Sequence, residues 1–229
     1  MDNHLKYWLL ENHDLLSSIN DSELKELNAI SKFKSVLKDE IIYQYDQEID
    51  SINFLCQGRI KIAFSIDKNL EVVAEILKEG DVFGNLALKK SPNTNFEFAQ
   101  VLSEEAFIFS FGLKEFENIL RNNHMLAVGF SKVLAEKLKI VTSKFCNLAF
   151  KDVRARVINF FTLHAQYEGK WSGNKAEIKM YCTQKDIADF TASSRQTVSA
   201  IINDLIKEKK IIYEGRSRVI IPDINKLNK

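Results

Sequence analysis

The side chains best suited to chemistry lie between residues 182 and 212, in a segment that predicts two short helices joined by a tight turn. Thr183 and Ser194 each stand where a helix needs an N-cap, because a hydroxyl oxygen there accepts a hydrogen bond from a free backbone N–H. The second helix would expose Arg195 and Gln196 at its first turn, and both can hydrogen-bond the edges of DNA bases. The pattern predicts a helix-turn-helix, although a helical hairpin in a structural domain has the same apolar pattern.

Further polar side chains extend this candidate surface on both sides. A short hairpin follows the second helix, with Arg216 and Arg218 near its tip, and indicates a wing that would contact the phosphate backbone. The buried faces of the two helices are predicted to hold Ile187, Ala188, Val198, Ile201, Ile202 and Leu205. The candidate DNA-binding residues are Thr183, Gln184, Ser194, Arg195, Gln196, Thr197, Ser199, Asn203, Arg216 and Arg218.

Charge is distributed unevenly along the chain. The formal net charge is +1, but residues 151–229 hold 15 Lys and Arg against 9 Asp and Glu, which is +6. Residues 1–150 hold 17 and 22, which is −5. A basic C-terminal third favours a phosphate backbone through counterion release, although such a charge is also common on a solvated surface. The asymmetry predicts two domains with different partners.

The elements that must position these side chains follow from apolar periodicity. Residues 4–30 predict helix with a break near Asn20, and Asp21 or Ser22 is the expected N-cap of the second part. Across residues 33–111, short alternating apolar runs are separated by turn residues at the spacing of strands. The runs are Ile41–Tyr43, Ile52–Leu55, Ile60–Phe64, Val72–Leu77 and Ala106–Phe111. This region predicts an all-β barrel or sandwich.

From residue 113 onward the helical period returns. An apolar seam steps by four and three residues through Leu134, Leu138, Val141, Phe145 and Leu148. Such a seam packs either on the β-domain of its own chain or on the same helix of a second subunit, and we expect the second arrangement, a homodimer. Residues 152–168 predict another helix, and a polar stretch ends it before a strand near residues 178–181.

Several classes of protein are excluded. No run approaches the roughly 18 apolar residues of a membrane span, and the N-terminus does not resemble a signal peptide, so no membrane partner is expected. Cys56, Cys146 and Cys182 are far apart and odd in number, which fits a reducing cytoplasm and offers no metal-ligand spacing. No catalytic motif is present, and residues 33–111 lack the histidines of a cupin-like enzyme, so we expect no catalytic residue.

Four segments carry a resemblance to a known family. They are FLCQGRIKI (54–62), LKEGDVFGNLAL (77–88), NLAFKDVRARV (147–157) and SRQTVSAIINDL (194–205). In this order the chain resembles the cyclic-AMP receptor/Fnr family of bacterial transcription regulators over nearly its whole length. The resemblance implies sequence-specific binding of double-stranded DNA, a homodimer, RNA polymerase as a further partner and a cytoplasmic location.

The resemblance also implies the architecture. The expected fold class is α+β, with an N-terminal β-roll sensor (a double-stranded β-helix or jelly roll) and a C-terminal winged helix-turn-helix. The expected domains are residues 1–148, including a long dimerisation helix over residues 113–148, and residues 149–229. A hinge near residues 149–152 would let an effector in the sensor rotate the DNA-binding domains. Ala200 stands where the family often has a second Arg, so the half-site preference should differ from that of the cyclic-AMP receptor.

The effector pocket is where this chain departs from the family. The positions that the resemblance assigns to the pocket are Gly84, Asn85, Leu86, Ala87, Glu97, Phe98, Ala99, Val141 and Thr142. Members that bind cyclic AMP hold the ribose with a Glu where this chain has Asn85, and the cyclic phosphate with an Arg-Ser pair where it has Glu97 and Phe98. Because a buried phosphate needs a cation, we expect that cyclic AMP is not the physiological switch. The sequence identifies no other cofactor.

Three alternatives stay open at this point. The chain could be an effector-free architectural dimer that binds DNA. It could also be a cyclic-nucleotide regulator with a rebuilt pocket in which Lys89 or Lys90 holds the phosphate, or, less readily, a β-roll enzyme. The iron–sulfur branch of the family needs clustered N-terminal cysteines, which this N-terminus lacks. For the haem-sensing branch, His124 is the nearest candidate ligand, and a lone His at a helix start is typical of polar surface.

Overall fold

The computed structural model describes residues 3–16, 19–44, 48–67, 70–89, 97–215 and 217–227. The chain divides into two compact units, Met1–Ile140 and Val141–Lys229. Helices and antiparallel sheets occur in both units, which confirms the α+β fold class. Within the described residues, no helix is both long enough and apolar enough to cross a membrane.

The first unit is built around two four-stranded antiparallel sheets. Its strands are β1 (Lys32–Leu37), β2 (Ile41–Tyr43), β3 (Ser51–Gln57), β4 (Ile60–Asp67), β5 (Leu70–Leu77), β6 (Val82–Gly84), β7 (Glu97–Val101) and β8 (Glu105–Gly112). One sheet has the order β1-β8-β3-β6 and the other β2-β7-β4-β5. The apolar runs identified in the sequence did not include β1, which is largely exposed, or β6 and β7.

Helices cover one of these sheets. They are α1 (Asn3–Glu11), α2 (Asp21–Ile30), α3 (Leu113–Asn122) and α4 (His124–Phe150), with a 3-10 turn at Asp14–Leu16. Sheet β1-β8-β3-β6 is buried on both faces, since Leu55 and Ile108 pack in the core shared with the second sheet while Phe54 and Phe109 pack in the core shared with the helices. Leu126, near the start of α4, packs in the same core as Phe54 and Phe109.

The N-cap of α2 is Asn20, so the expectation of Asp21 or Ser22 was wrong. The Asn20 side chain accepts a hydrogen bond from the backbone N–H of Glu23 at 3.0 Å, and the Glu23 carboxylate accepts one from the Asn20 backbone N–H at 3.0 Å. Only this spacing puts an acid at the third helical position, so the capping box fixes the start of the helix.

The long helix expected over residues 113–148 is two helices. Asn123 interrupts it with extended backbone, and its side-chain oxygen accepts a hydrogen bond from the Leu126 N–H at 2.8 Å, so that Asn123 caps a new helix. Helix α4 then runs 27 residues to Phe150. The compact units divide between Ile140 and Val141, inside α4, whereas the sequence placed the domain boundary at 148/149.

The second unit is a winged helix-turn-helix, as predicted. Its elements are α5 (Val153–Glu168), β9 (Lys170–Ser172), β10 (Lys175–Lys179), α6 (Gln184–Phe190), α7 (Arg195–Lys207), β11 (Ile212–Glu214), β12 (Arg218–Ile221) and α8 (Ile224–Leu227). Its antiparallel sheet has the order β11-β12-β10-β9. The polar stretch after α5 forms strand β9, because main-chain pairing with β10 needs no apolar side chains on an exposed edge.

We predict that Asn20→Ala lowers the free energy of unfolding of the first unit by about 1 kcal/mol, because the first turn of α2 loses its side-chain acceptor. The measurement is a urea titration followed by circular dichroism. Asn28→Ala in the same helix is the control, since no side-chain hydrogen bond of Asn28 is found within the described residues. Equal losses in the two variants would contradict the capping role.

Candidate nucleic-acid interface and effector pocket

The N-terminus of α7 is fixed by its cap. The Ser194 hydroxyl accepts a hydrogen bond from the Thr197 N–H at 3.1 Å, and the two hydroxyl groups lie 2.8 Å apart. Both were predicted to contact DNA, and the structure commits both hydroxyls to the cap. A capped helix N-terminus carries partial positive charge and aims backbone N–H groups outward, which suits it to approach phosphate.

Four of the predicted residues meet at one surface depression. Gln184 at the start of α6 and Arg195, Gln196 and Ser199 on α7 line it together. Within the described residues, no ion pair or hydrogen bond engages the Arg195 guanidinium, so its donors face solvent. Asn203 is exposed two turns further along the same helix face. This group can read base edges, since a guanidinium and an amide both form paired hydrogen bonds with bases.

Two more of the predicted DNA-binding residues, Thr183 and Arg218, have partners within the protein. Thr183 caps α6 in a capping box, where its hydroxyl donates to the Asp186 carboxylate at 2.7 Å. Arg218 forms an ion pair with Glu214 across the wing hairpin, at the exposed surface. Its charge is therefore partly balanced, which weakens the expectation that it contacts phosphate. Arg216 lies outside the described residues.

In the first unit, two of the predicted pocket residues, Gly84 and Asn85, stabilise the turn that follows β6. Gly84 has a φ of +95°, and a Cβ there would lie 2.6 Å from the Ser51 carbonyl oxygen, so only glycine fits. The Asn85 amide donates to the carbonyl oxygens of Ile49 and Lys89, at 2.9 Å each, and so braces the turn between two backbone segments. Asn85 is therefore engaged by the protein rather than offered to a ligand.

The other residues of this turn and of β7 divide between the two faces of the sheet. Leu86 packs with the helix-side core and Ala87 is exposed, so neither lines the core between the sheets. On β7, Ala99 is fully buried between the sheets, and Glu97 shares its face because alternate residues of a strand do. Phe98 points to the opposite face, where the Lys61 ammonium lies 5.7 Å from its ring. Glu97 and Phe98, both predicted to lie in the effector pocket, thus point to opposite faces of the sheet.

Glu97 is held by an unpredicted partner. The Tyr43 hydroxyl donates a hydrogen bond to the Glu97 carboxylate at 2.6 Å. Burial raises the pKa of the Glu97 carboxyl, and the bond from Tyr43 and the charge of Lys137 partly offset that rise. The carboxylate thus brings an acidic group to the face of β7 that also carries the buried Ala99.

A second unpredicted pair lies close by. The Lys137 ammonium on α4 contacts both carboxylate oxygens of Glu75 on β5, at 2.7 and 3.0 Å, and both side chains are largely buried. The charges of Glu75 and Lys137 act on the pKa of Glu97 in opposite directions, so the three ionisable groups are near neighbours. The sequence could have indicated the inward position of Glu75, because this acid precedes the buried Leu77 by two residues and so shares its strand face.

The predicted pocket and seam positions on α4 are exposed in the single chain. Val141 and Thr142 are both exposed and belong to the second compact unit. The seam residues are exposed to 37% at Leu134, 67% at Leu138, 64% at Val141, 69% at Phe145 and 40% at Leu148. Five large apolar side chains along one helix face are a contiguous surface of the kind that a partner covers.

Comparison with known proteins agrees with this geometry. A model of the cyclic nucleotide-binding domain matches residues 33–123, and a model of the Crp-like helix-turn-helix domain matches residues 155–229. The cAMP-activated global transcriptional regulator CRP of Salmonella typhimurium is 24% identical over 194 residues, which cover 83% of this chain and 89% of that protein.

Two further comparisons extend the agreement. The global nitrogen regulator of a Nostoc species is 21% identical over 184 residues, covering 80% of this chain and 82% of that protein. The solved structure of a CooA mutant from Carboxydothermus hydrogenoformans superimposes with a TM-score of 0.78 at 24% identity, covering 96% and 93% of the two chains. With both domains matched in order, the chain belongs to the cyclic-AMP receptor/Fnr family and is a DNA-binding transcription regulator with a cyclic nucleotide-binding-type sensor domain.

Proposed function

We propose that this regulator is a homodimer that inserts α7 of each subunit into the major groove of a two-fold symmetric operator, and that cyclic AMP does not switch it. The observation that carries the first part is the capped α7 N-terminus, at which Arg195, Gln196 and Ser199 face solvent in one depression with Gln184. Such a helix N-terminus matches the way helix-turn-helix proteins enter DNA. The proposed partners, chromosomal DNA and RNA polymerase, are in the bacterial cytoplasm, so the protein would act there.

The apolar seam of α4 supports the homodimer. Its residues step by four and three positions and stay exposed in the single chain. A second copy of the same helix would cover the seam about a two-fold axis, and the same axis would present two recognition helices to two half-sites about 34 Å apart.

The charges inside the sensor argue against cyclic AMP. A cyclic phosphate between the sheets would meet the Glu97 carboxylate, and the nearby ammonium of Lys137 is engaged by Glu75. Binding would require either that Lys137 leave Glu75 or that a like charge stay unbalanced in a partly buried site, and both cost free energy. Lys137 also defines the second candidate, a cyclic-nucleotide regulator with a rebuilt pocket, in which this lysine exchanges its carboxylate for the phosphate.

Arg195→Ala should weaken operator binding by about 1–3 kcal/mol and relax base preference at one position in each half-site, because a paired hydrogen bond to a guanine is lost. Fluorescence anisotropy with the operator and its single-base variants measures both effects. Lys207→Ala is the matched control, since it removes the same charge from the last turn of the same helix. Unchanged affinity and base preference in Arg195→Ala would remove this residue from the readout.

Leu138→Glu should give a monomer on a sizing column and abolish operator binding, because two carboxylates would face each other in the seam. Ser143→Glu puts the same side chain on α4 outside the heptad positions of the seam and should remain dimeric. If Leu138→Glu stays fully dimeric, the subunits join through a different surface.

Isothermal titration of nucleotide-free protein with cyclic AMP and cyclic GMP should give dissociation constants in the millimolar range or weaker. The loss of a charge-assisted phosphate contact costs several kcal/mol, and each factor of ten corresponds to about 1.4 kcal/mol. Operator affinity should be the same with and without either nucleotide. Micromolar binding that also strengthens operator binding would instead establish the rebuilt pocket.

The pH dependence of any residual binding identifies the cause. Burial raises the pKa of Glu97 above its ordinary value, so its negative charge is lost as the pH falls through that raised value. Weak nucleotide binding should therefore strengthen at lower pH in the parent protein. In Glu97→Gln the carboxylate is absent at every pH, so this dependence should disappear.

A further inference from the structure

The last turns of α4 contact the helix-turn-helix directly. The Lys144 ammonium on α4 lies 4.1 Å from the ring centroid of Phe190, the last residue of α6. Phe190 in turn packs edge-on against the buried ring of Phe160, with centroids 5.3 Å apart. A cation over an aromatic face is attracted by the ring quadrupole, so this contact ties α4 to a ring that the core already holds.

A second link joins the same two parts. Arg156 on α5 donates from Nη1 to the carbonyl oxygen of Lys151, the residue directly after α4, at 2.8 Å. It donates from Nε to the carbonyl oxygen of Thr191 at 2.8 Å and from Nη2 to that of Ala192 at 3.3 Å. Thr191 and Ala192 form the turn between α6 and α7, and Ala192 has a φ of +48°. One planar side chain thus holds three carbonyl groups, two of them in the turn that aims α7.

Both links span the place where the sequence predicted a hinge. Residues 149–152 lie between Lys144 and Arg156, and α4 ends inside that range, at Phe150. With Lys144 bound to Phe190 and Lys151 bound through Arg156, the helix break does not by itself free the helix-turn-helix from α4. The seam residues Val141, Phe145 and Leu148 belong to the same compact unit as α7.

We propose that Lys144 and Arg156 are positioning residues that fix the angle between α4 and α7, and thereby the spacing of the two half-sites that the dimer accepts. This inference rests on the proposed dimer, in which α4 pairs with its twin about the two-fold axis. Neither residue needs to touch DNA. Lys144 acts through Phe190 at the end of α6, and Arg156 acts through the Thr191–Ala192 turn that leads into α7.

The test compares operators whose half-sites are moved apart or together by one base pair. The parent protein should prefer one spacing strongly. Lys144→Met keeps the length and helix propensity of the side chain but removes its charge. It should reduce the ratio of affinities between the preferred spacing and the shifted spacings roughly threefold to tenfold. Arg156→Gln should reduce this affinity ratio further. Arg156→Lys should restore part of the ratio, because one hydrogen-bond donor returns. Lys139→Met on the exposed face of α4 is the matched control and should keep the parent's preference.

Two further measurements separate positioning from simple stability. The melting temperature should change little in Lys144→Met, because one partly exposed cation–π contact contributes modestly to stability. Affinity for a single isolated half-site should also change little, because it does not depend on the angle between the two helices. If Lys144→Met folds and keeps the parent's discrimination among spacings, the positioning role is overturned, even should the arginine variants unfold. If the parent itself accepts all spacings equally, the proposed dimeric operator fails instead.

Discussion

Helix α4 contributes residues to both compact units, and each unit packs its own part of the helix. The first turns of α4 are buried in the sensor core through Leu126 and Phe130, and its last turns bind the helix-turn-helix through Lys144. From Leu134 to Leu148 the helix exposes an apolar seam that no other described residue buries in the single chain. The same 27 residues therefore contribute packing to each unit and carry the apolar seam of the proposed dimer.

The sensor domain has the fold of its family, and its interior holds charged side chains with partners from the same chain. Glu97 takes a hydrogen bond from Tyr43, and Lys137 of α4 is paired with Glu75 of β5. The protein thus satisfies its own buried charges, as a buried ion pair must to avoid a large desolvation cost. The Glu75–Lys137 pair also joins the β-roll to α4 with groups that the chain itself supplies.

Features decided by residues close together in the sequence were predictable, and features decided by distant residues were not. Helix caps and amphipathic faces are local, so the sequence predicts the start of α7 at Ser194 and the buried Val198 and Ile202. Glu75 and Lys137 are 62 positions apart, and β7 pairs with the distant strands β2 and β4, so no local pattern contains these contacts. The break at Asn123 was missed because a capping asparagine inside two joined apolar patterns looks like an ordinary helical residue.

The central claim is sequence-specific binding by a two-fold dimer in the absence of a nucleotide. The most direct measurement is selection of random DNA by the purified, nucleotide-free protein, followed by sequencing of the bound fraction. We expect a symmetric motif whose two half-sites lie about 10 base pairs apart, centre to centre, and whose enrichment is unaffected by added cyclic AMP. No enriched motif, or a motif that emerges only after cyclic AMP is added, would contradict it.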